Sequence, residues 1–365
     1  MFEPCPNQKA IIIAEAGVNH NGSLSRALAM VDEAAEAGAD IIKFQTFKSE
    51  DVVSRSAPKA DYQKRTTGTV ESQLEMARKL ELDNAAHRAL FQRCQEKGIE
   101  FLSSPFDLPS LHFLAHDLNL SRIKIASGEV TNYALLLAAA RSGKRLILSS
   151  GMSTLGEIES ALAVIAYGLS CTEIPSGENA EFKNAFSSLD GQAALRERVT
   201  LLQCTTEYPA DFSDVNLRVI DTMRAAFGLS VGLSDHTLGI AVPIAAVARG
   251  ARMIEKHFTL DKSLEGPDHS ASLNPDQLKA MVRAIREVEL SLGNGVKYPT
   301  MAEKKNQPIV RRSLTAAMSI SKGETFTTDN LTTKRPGSGV SGVHYWSYLG
   351  KIAQRAYQED EQIDD

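Results

Sequence analysis

Polar side chains that could carry chemistry stand two residues apart inside short, otherwise apolar runs of the sequence. The pairs are Lys43 and Gln45, Ser234 and His236, and Glu255 and His257. Residues i and i+2 of a β-strand point to the same side, so each pair can direct two polar groups into one cavity. Burying that many polar groups without partners would be costly. A ligand or metal ion that satisfies them is therefore the interpretation we favour.

Two of the histidines indicate a metal site. A lone histidine is more often a hydrogen-bonded core or surface residue than a ligand, and that interpretation holds for His87, His112, His116 and His344. His236 and His257 differ because they end two consecutive strand-like runs and stand near Glu255. Two imidazoles with open positions beside them suit a divalent cation that keeps water and substrate ligands.

Lysine and serine side chains indicate an anionic substrate. Lys43 and Lys124 stand inside strand patterns, where a surface position is not expected. Hydroxyl residues end several of the strand-like runs; they are Ser104, Ser127, Ser149 and Ser234. These serines could instead cap helices, but several hydroxyls around a lysine also bind anions well. The residues alone therefore predict an enzyme with an anionic substrate and a metal.

Eight strand-like runs alternate with amphipathic helices through the first part of the chain. They are Ala10–Ala14, Ile41–Gln45, Glu100–Ser103, Arg122–Ala126, Arg145–Ser149, Val199–Cys204, Ser230–Ser234 and Met253–Phe258. Such alternation predicts a parallel sheet, and eight repeats favour a closed (β/α)8 TIM barrel. A doubly wound sheet is the alternative, but no G-x-G-x-x-G follows the first run. In a barrel, the chemistry lies at the C-terminal ends of the strands, where the residues above fall.

The sequence divides into three segments. Residues 1–292 are the predicted barrel, within which residues 171–198 form an irregular polar insertion. Residues 293–308 are predicted to be a polar linker that ends in Pro308. Residues 309–365 contain short runs broken by turn signals, which predict a small β-rich domain.

Composition excludes several classes of function. The 365 residues carry 40 basic and 45 acidic side chains without a long run of like charge, so neither nucleic acid nor a membrane surface is an expected partner. The chain has no run of about 18 apolar residues and no signal-peptide pattern at its start. Its four cysteines match no zinc or redox spacing. We therefore expect free thiols and a cytoplasmic location.

A series of motifs runs through the chain in a fixed order. They are EAGVNHNG (Glu15–Gly22), KFQTF (Lys43–Phe47), APKADYQ (Ala57–Gln63), ESQLEM (Glu71–Met76), SSPF (Ser103–Phe106), KIASGE (Lys124–Glu129), LSSGM (Leu148–Met152), CTTEYP (Cys204–Pro209), GLSDHT (Gly232–Thr237), EKHFTLDKS (Glu255–Ser263) and GPDH (Gly266–His269). Together they resemble the N-acetylneuraminate (sialic acid) synthases. TTKRPGSG (Thr332–Gly339) and LGKIA (Leu349–Ala353) resemble that family's C-terminal antifreeze-like (SAF) domain.

The resemblance implies a reaction and a role for each matching residue. Phosphoenolpyruvate would condense with N-acetylmannosamine to give N-acetylneuraminate and phosphate, with Mn²⁺ or Mg²⁺ as cofactor. His236 and His257 match the metal ligands. The residues that match the phosphoenolpyruvate site are Lys124, Ser104, Ser127, Ser149 and Ser234. Those that match the amino-sugar site are Gln45, Tyr208, Glu255 and Asp268. Lys43 lies between the two substrates, and Glu15 matches a carboxylate near the reacting carbons.

The resemblance also implies a domain-swapped homodimer, in which the small domain delivers Arg335 to the N-acetyl group of the sugar. Ser104 replaces a threonine, and Thr205 and Thr206 stand where some members have an asparagine. The insertion at residues 171–198 resembles synthases of legionaminic acid, which use a 2,4-diacetamido-2,4,6-trideoxy-mannose. The sugar therefore stays open. An octulosonate-phosphate-type synthase and a catalytically inactive scaffold barrel are further alternatives.

Overall fold

The structure, a computed structural model, describes residues 9–176 and 179–364. Its first compact unit, Met1–Gly293, is a parallel β-barrel. Its strands are β1 (Ile11–Gly17), β2 (Ile41–Thr46), β3 (Glu100–Pro105), β4 (Arg122–Ile125), β5 (Arg145–Ser149), β6 (Val199–Cys204), β7 (Ser230–Asp235) and β8 (Met253–His257). They pair in the order β3-β2-β1-β8-β7-β6-β5-β4, and β3 lies beside β4 where the sheet closes. The predicted (β/α)8 barrel is confirmed, and the doubly wound alternative is wrong.

Helices surround this sheet. They are α1 (Leu24–Glu36), α2 (Ser49–Val52), α3 (Asp61–Thr67), α4 (Gln73–Leu80), α5 (Asn84–Lys97), α6 (Leu108–His112), α7 (Tyr133–Arg141), α8 (Leu155–Ser170), α9 (Asn179–Ser187), α10 (Leu189–Arg198), α11 (Val219–Phe227), α12 (Ala241–Ala248) and α13 (Pro275–Ser291). Ser23 and Asp83 accept hydrogen bonds from the first turns of α1 and α5. Thr154 caps α8 through a capping box with Glu157. Polar N-caps of this kind satisfy backbone amides of the first helical turn and so favour the start of a helix at these positions.

The inside of the barrel is layered from apolar to polar. Six buried side chains, one from each of six strands, form an apolar floor; they are Ile13, Ile41, Leu102, Ile147, Leu202 and Met253. On β7 the corresponding position is Gly232, whose ideal Cβ would lie 2.3 Å from the Met253 carbonyl oxygen. Two residues further along five of these strands the inward side chains are polar, namely Glu15, Lys43, Ser104, Ser149 and Glu255. The floor therefore seals one end and leaves a polar chamber at the C-terminal ends of the strands.

The insertion, which the sequence predicts to be irregular, contains helices, and so does the long polar stretch after β2. The insertion at residues 171–198 is not irregular, because it forms α9 and α10 on either side of Ser188. The Phe182 ring of α9 meets the Tyr167 ring of α8 edge to face, with 5.3 Å between centroids. Apolar contact with α8 thus orders a segment that is polar in sequence. The long polar stretch after β2 likewise contains α2, α3 and α4.

The second compact unit, Asn294–Asp365, has its own small core. It contains α14 (Met301–Val310), the antiparallel strands β9 (Ser313–Ala316) and β10 (Leu331–Lys334), and α15 (Tyr345–Tyr348). Residues 301–308, predicted to be linker, belong to α14, which Thr300 caps. Isolated β-bridges such as that between Ile320 and Tyr357 supplement the two strands. The buried side chains of this core are Leu314, Ala316, Ile320, Phe326, Leu331, Ala353, Tyr357 and Ile363.

Two further expectations concern cysteines and membranes. Cys94, Cys171 and Cys204 are free thiols, as predicted, whereas Cys5 lies outside the described residues. Within the described ranges, no helix combines the length and apolar character needed to cross a bilayer.

Candidate active site

Four charged side chains meet in the polar chamber, although each comes from a different strand. Lys43 Nζ lies 2.8 Å from Glu15 Oε1 and 3.0 Å from Glu255 Oε2. Lys124 Nζ lies 3.4 Å from Glu255 Oε1. Parallel pairing of β1 with β2 puts Glu15 directly beside Lys43. The result is a buried chain of alternating charge, from Glu15 through Lys43 and Glu255 to Lys124.

The two predicted metal ligands lie next to this chain. The His236 and His257 rings are 5.3 Å apart between centroids. His236 Nδ1 donates to the Thr205 carbonyl at 2.6 Å, which leaves its Nε2 available. His257 Nε2 faces Glu15 Oε2 at 3.3 Å, and its Nδ1 lies 3.8 Å from Asp268 Oδ2. The structure therefore brings the two imidazoles and two carboxylates together, while the role of each stays a prediction.

Aromatic rings form one wall beside the imidazoles. The Tyr208 ring packs on His236 with 4.1 Å between centroids and meets His257 edge to face at 5.4 Å. Tyr62, from α3, packs in turn on Tyr208 at 4.9 Å. Helix α3 therefore contributes to the site. Tyr62 is absent from the residues that the strand pattern predicts, and only its presence in the APKADYQ motif indicates it.

Buried hydroxyl groups in this region lack partners. Among the described residues, Ser104 Oγ, Ser149 Oγ and Thr206 Oγ1 are buried and make no hydrogen bond. Ser127 Oγ accepts from the Gly151 amide at 3.0 Å, and Ser234 Oγ donates to Glu255 Oε1 at 2.7 Å. Unsatisfied buried hydroxyls are costly and uncommon. Three of them near a buried lysine fit a site whose ligand supplies the missing acceptors.

The surroundings shift the pKa values of Glu15 and Glu255 in opposite directions. Burial raises the pKa of Glu15 above its usual range, although Lys43 opposes the shift. Burial would also raise the pKa of Glu255, but Lys124 and Lys43 together lower it well below its usual range. Burial lowers the pKa of Lys124, with Glu255 acting against the shift. The Glu255 carboxylate is thus held as an anion by two cations.

The groups around the imidazoles also have shifted pKa values. Burial and the neighbouring Glu15 raise the pKa of Asp268 to about 7. Burial lowers the pKa of His257 well below its usual range, and the nearby His236 adds to this effect. Burial would lower the pKa of His236 too, but Cys204, whose Sγ lies 4.0 Å from Nδ1, raises it to about 9. Cys204 is a neighbour that sequence reasoning did not single out.

Two predicted site residues make fewer contacts. Gln45 pairs with Ser104 across β2 and β3, and its carbonyl accepts from His87 Nε2 at 3.2 Å. Its side chain points to the same side as Lys43. Arg335 belongs to the second unit, where it is exposed and makes no hydrogen bond or ion pair with other described residues. The structure therefore places Gln45 beside Ser104 in the sheet, and the roles of Gln45 and Arg335 stay predictions.

The side chains present are of types that bind a divalent cation. Among the described residues, however, no group of three or more His, Cys, Asp or Glu side chains is arranged to hold a metal ion. His257 Nδ1 is buried and has no hydrogen-bond partner. With His236 it could supply two nitrogen ligands, and Glu15 or Asp268 could supply oxygen. Such a donor set suits an ion that completes its coordination with water and substrate.

Comparisons with known proteins match both compact units of the chain. A model of the NeuB family matches residues 30–297, and a model of the SAF domain matches residues 311–365. The chain is 49% identical to the N,N'-diacetyllegionaminic acid synthase of Campylobacter jejuni, over 98% of this chain and 99% of that protein. It is 42% identical to the enzyme of the same name from Legionella pneumophila, over 93% and 89%.

A solved structure is similar over most of its length. It is the N-acetylneuraminic acid (sialic acid) synthetase of Leptospira borgpetersenii, in complex with citrate. The TM-score is 0.67 at 34% identity, over 82% of this chain and 90% of that one. The barrel, the chamber and the matches over both units lead to one conclusion: the chain belongs to the NeuB family of synthases and ends in a SAF domain.

Proposed function

We propose that this enzyme condenses phosphoenolpyruvate with a 2,4-diacetamido-2,4,6-trideoxy-mannose, giving N,N'-diacetyllegionaminate and phosphate. The observation that carries the reaction class is the buried chain of Glu15, Lys43, Glu255 and Lys124. The sugar is inferred from the two diacetyllegionaminic acid synthases at 49% and 42% identity. Those relatives favour this sugar over N-acetylmannosamine, which the motifs suggest first.

Phosphoenolpyruvate fits the side of the chamber that Lys124 occupies. Among the described residues, Lys124 has a 3.4 Å contact with Glu255 and a 3.4 Å contact with the Ile125 carbonyl and no other polar contact, so its ammonium is under-coordinated for a buried cation. The unpartnered hydroxyls of Ser104 and Ser149 can donate to an anion. Charge-assisted bonds to phosphate oxygens are stronger than bonds between neutral groups. Phosphate binding thus supplies partners that the protein alone does not.

The bond changes follow from two nucleophilic steps. Carbon 3 of phosphoenolpyruvate attacks the aldehyde carbon of the sugar, so a carbon–carbon bond forms and carbon 2 becomes cationic. The π bond of the aldehyde breaks, and its oxygen takes up a proton to become a hydroxyl group. The Glu15 carboxylate, held by Lys43 and His257, can stabilise that charge and accept a proton from the water that adds to carbon 2. The tetrahedral product then loses phosphate as its carbon–oxygen bond breaks. A divalent metal held by His236 and His257 would polarise the aldehyde oxygen.

The test is phosphate release from phosphoenolpyruvate with Mn²⁺ and each candidate sugar, with product masses recorded. We expect kcat/KM for the diacetamido trideoxy sugar to exceed that for N-acetylmannosamine at least about tenfold, which corresponds to about 1.4 kcal/mol. A reaction without sugar controls for simple hydrolysis. A preference for N-acetylmannosamine would overturn the proposed sugar. Phosphate release only with a phosphorylated pentose would indicate an octulosonate-phosphate-type synthase. Absence of phosphate release with every sugar tested would favour an inactive barrel.

A further inference from the structure

A fully buried ion pair lies on the outer side of β7 and β8, behind the two imidazoles. Lys256 stands between Glu255 and His257 on β8, so its side chain points away from the chamber. Its Nζ lies 2.6 Å from Asp235 Oδ2, and the two side chains are 0% and 1% exposed. Asp235 is the last residue of β7 and directly precedes His236. The pair therefore joins the backbone positions next to both predicted metal ligands.

Thr237 completes this arrangement on the other side of His236. Asp235 Oδ1 accepts from the Thr237 amide at 3.1 Å and from the Thr237 hydroxyl at 2.9 Å. Lys256 Nζ also donates to the Thr237 carbonyl. The residues before and after His236 are thus both tied to Lys256. The His236 carbonyl, in addition, accepts from the Ala210 amide at 3.0 Å.

Stability alone does not explain two buried charges at this position. Replacing a buried ion pair by apolar groups of similar size is often neutral or stabilising. A pair whose hydrogen bonds are satisfied can instead fix one geometry of the chain. Here the atoms that it fixes belong to the turn bearing His236 and the strand bearing His257.

We infer that Lys256 and Asp235 are positioning residues that set the separation of the His236 and His257 imidazoles, 5.3 Å between ring centroids, for a shared divalent cation. The inference rests on the metal-dependent reaction proposed above. Without the pair, the turn after β7 can move relative to β8, and the imidazoles lose their common orientation. Mutation of groups that orient metal ligands from outside typically weakens metal binding 10–100-fold.

The test compares Mn²⁺ affinity in a charge-free double variant and a matched control. Lys256→Met with Asp235→Asn removes both charges together and keeps an acceptor for the Thr237 amide. We expect Mn²⁺ binding, measured by calorimetry without substrates, to weaken at least about tenfold. Phosphoenolpyruvate affinity should stay within about twofold, and kcat should fall more than KM rises. The control, Glu100→Gln with Arg122→Gln, removes a 2.7 Å inter-strand pair at the opposite end of the barrel and should leave Mn²⁺ binding unchanged.

Thr237→Val gives a second test that keeps both charges. It removes only the hydroxyl bond to Asp235, so we expect a smaller loss of Mn²⁺ affinity, about threefold to tenfold, in a normally folded protein. Unchanged Mn²⁺ affinity in either variant would overturn the inference. Absence of Mn²⁺ binding by the unmodified protein would overturn it too. Because this measurement uses no sugar, its outcome does not depend on which amino sugar the enzyme accepts.

Discussion

At the residue scale, Lys124 is the side chain whose loss is easiest to interpret. It is buried, contacts Glu255 at 3.4 Å, and stands near hydroxyls that lack partners. We predict that Lys124→Ala weakens phosphoenolpyruvate binding by about 2 kcal/mol, or about thirtyfold in Kd, because a charge-assisted contact is lost. Calorimetric titration with phosphoenolpyruvate alone measures this directly.

The control for that variant is Lys279→Ala, which changes a lysine whose side chain is 61% exposed on α13. It should bind phosphoenolpyruvate like the unmodified protein. If Lys124→Ala keeps the unmodified affinity, the phosphate does not bind at Lys124.

His257 gives the corresponding prediction for the metal. His257→Ala should weaken Mn²⁺ binding about 100-fold or more, since the loss of an outer-shell partner alone costs 10–100-fold. The matched control is His112→Ala, a histidine whose side chain is 69% exposed on α6. Turnover should be measured after chelation and again after Mn²⁺ is restored. A His257→Ala protein that retains normal turnover after chelation would show that the metal assignment is wrong.

The site was predictable from sequence wherever a single strand supplied two groups. Ser234 and His236, like Glu255 and His257, follow from the two-residue period of a strand. The contact between Lys124 and Glu255 does not, because it joins strands that are not neighbours in the sheet. Tyr62 was missed for a related reason. It stands in a polar stretch whose short helix has no apolar period, and only the fold brings its ring onto Tyr208.

At the element scale, the apolar floor imposes a strict size limit at Gly232 on β7. A Cβ there would lie 2.3 Å from the Met253 carbonyl oxygen and 2.7 Å from Leu202 Cδ2. We predict that Gly232→Ala destabilises the barrel by about 3 kcal/mol, because strands would have to separate to admit a methyl group. Urea unfolding followed by circular dichroism measures the loss.

Gly156→Ala is the matched control for that substitution. Gly156 lies in the first turn of α8, where an added Cβ would meet only Thr154 Oγ1 at 4.0 Å. Alanine should stabilise this helix by about 0.5–1 kcal/mol. If Gly232→Ala unfolds at the same urea concentration as the unmodified protein, the floor is less tightly packed than these distances indicate.

Elements were predictable where polar caps and apolar periods agreed. Helices α1, α5 and α8 begin after Ser23, Asp83 and Thr154, residue types that favour the N-cap position. Helix α14 has no buried residue, so no apolar period marks it in the sequence, and Pro308 indicated a linker instead. Helix α10 has only Gly191 and Leu195 buried. Tertiary contacts thus decide the structure of segments whose own pattern is weak.

At the scale of the whole molecule, the open question is where Arg335 acts. We propose that it completes the site of a partner subunit in a domain-swapped homodimer, as the family resemblance implies. Swapping costs little when the exchanged contacts are identical, and a planar guanidinium suits an acyl carbonyl. Mixing His236→Ala protein with Arg335→Ala protein should then restore activity, because each mixed dimer regains one complete site.

Subunit exchange has to be verified first, for example by mass spectrometry of differently tagged chains. If Arg335 acts within its own chain, no mixed dimer contains a complete site. Activity that stays at the sum of the two variants after exchange would contradict the swapped arrangement. Arg311→Ala, another exposed arginine of the second unit, should neither lose activity nor be needed for complementation.

The position of α9 and α10 along the chain has a practical consequence. Both helices stand after α8 and before β6, so they belong to a connection that leads into the N-terminal end of a strand. The chamber lies at the C-terminal ends. We therefore do not expect the insertion to contact the sugar. The insertion also offers a point for immobilisation: an enzyme tethered through a cysteine introduced by Leu189→Cys, at an exposed position, should have the C-terminal ends of its barrel strands directed away from the support.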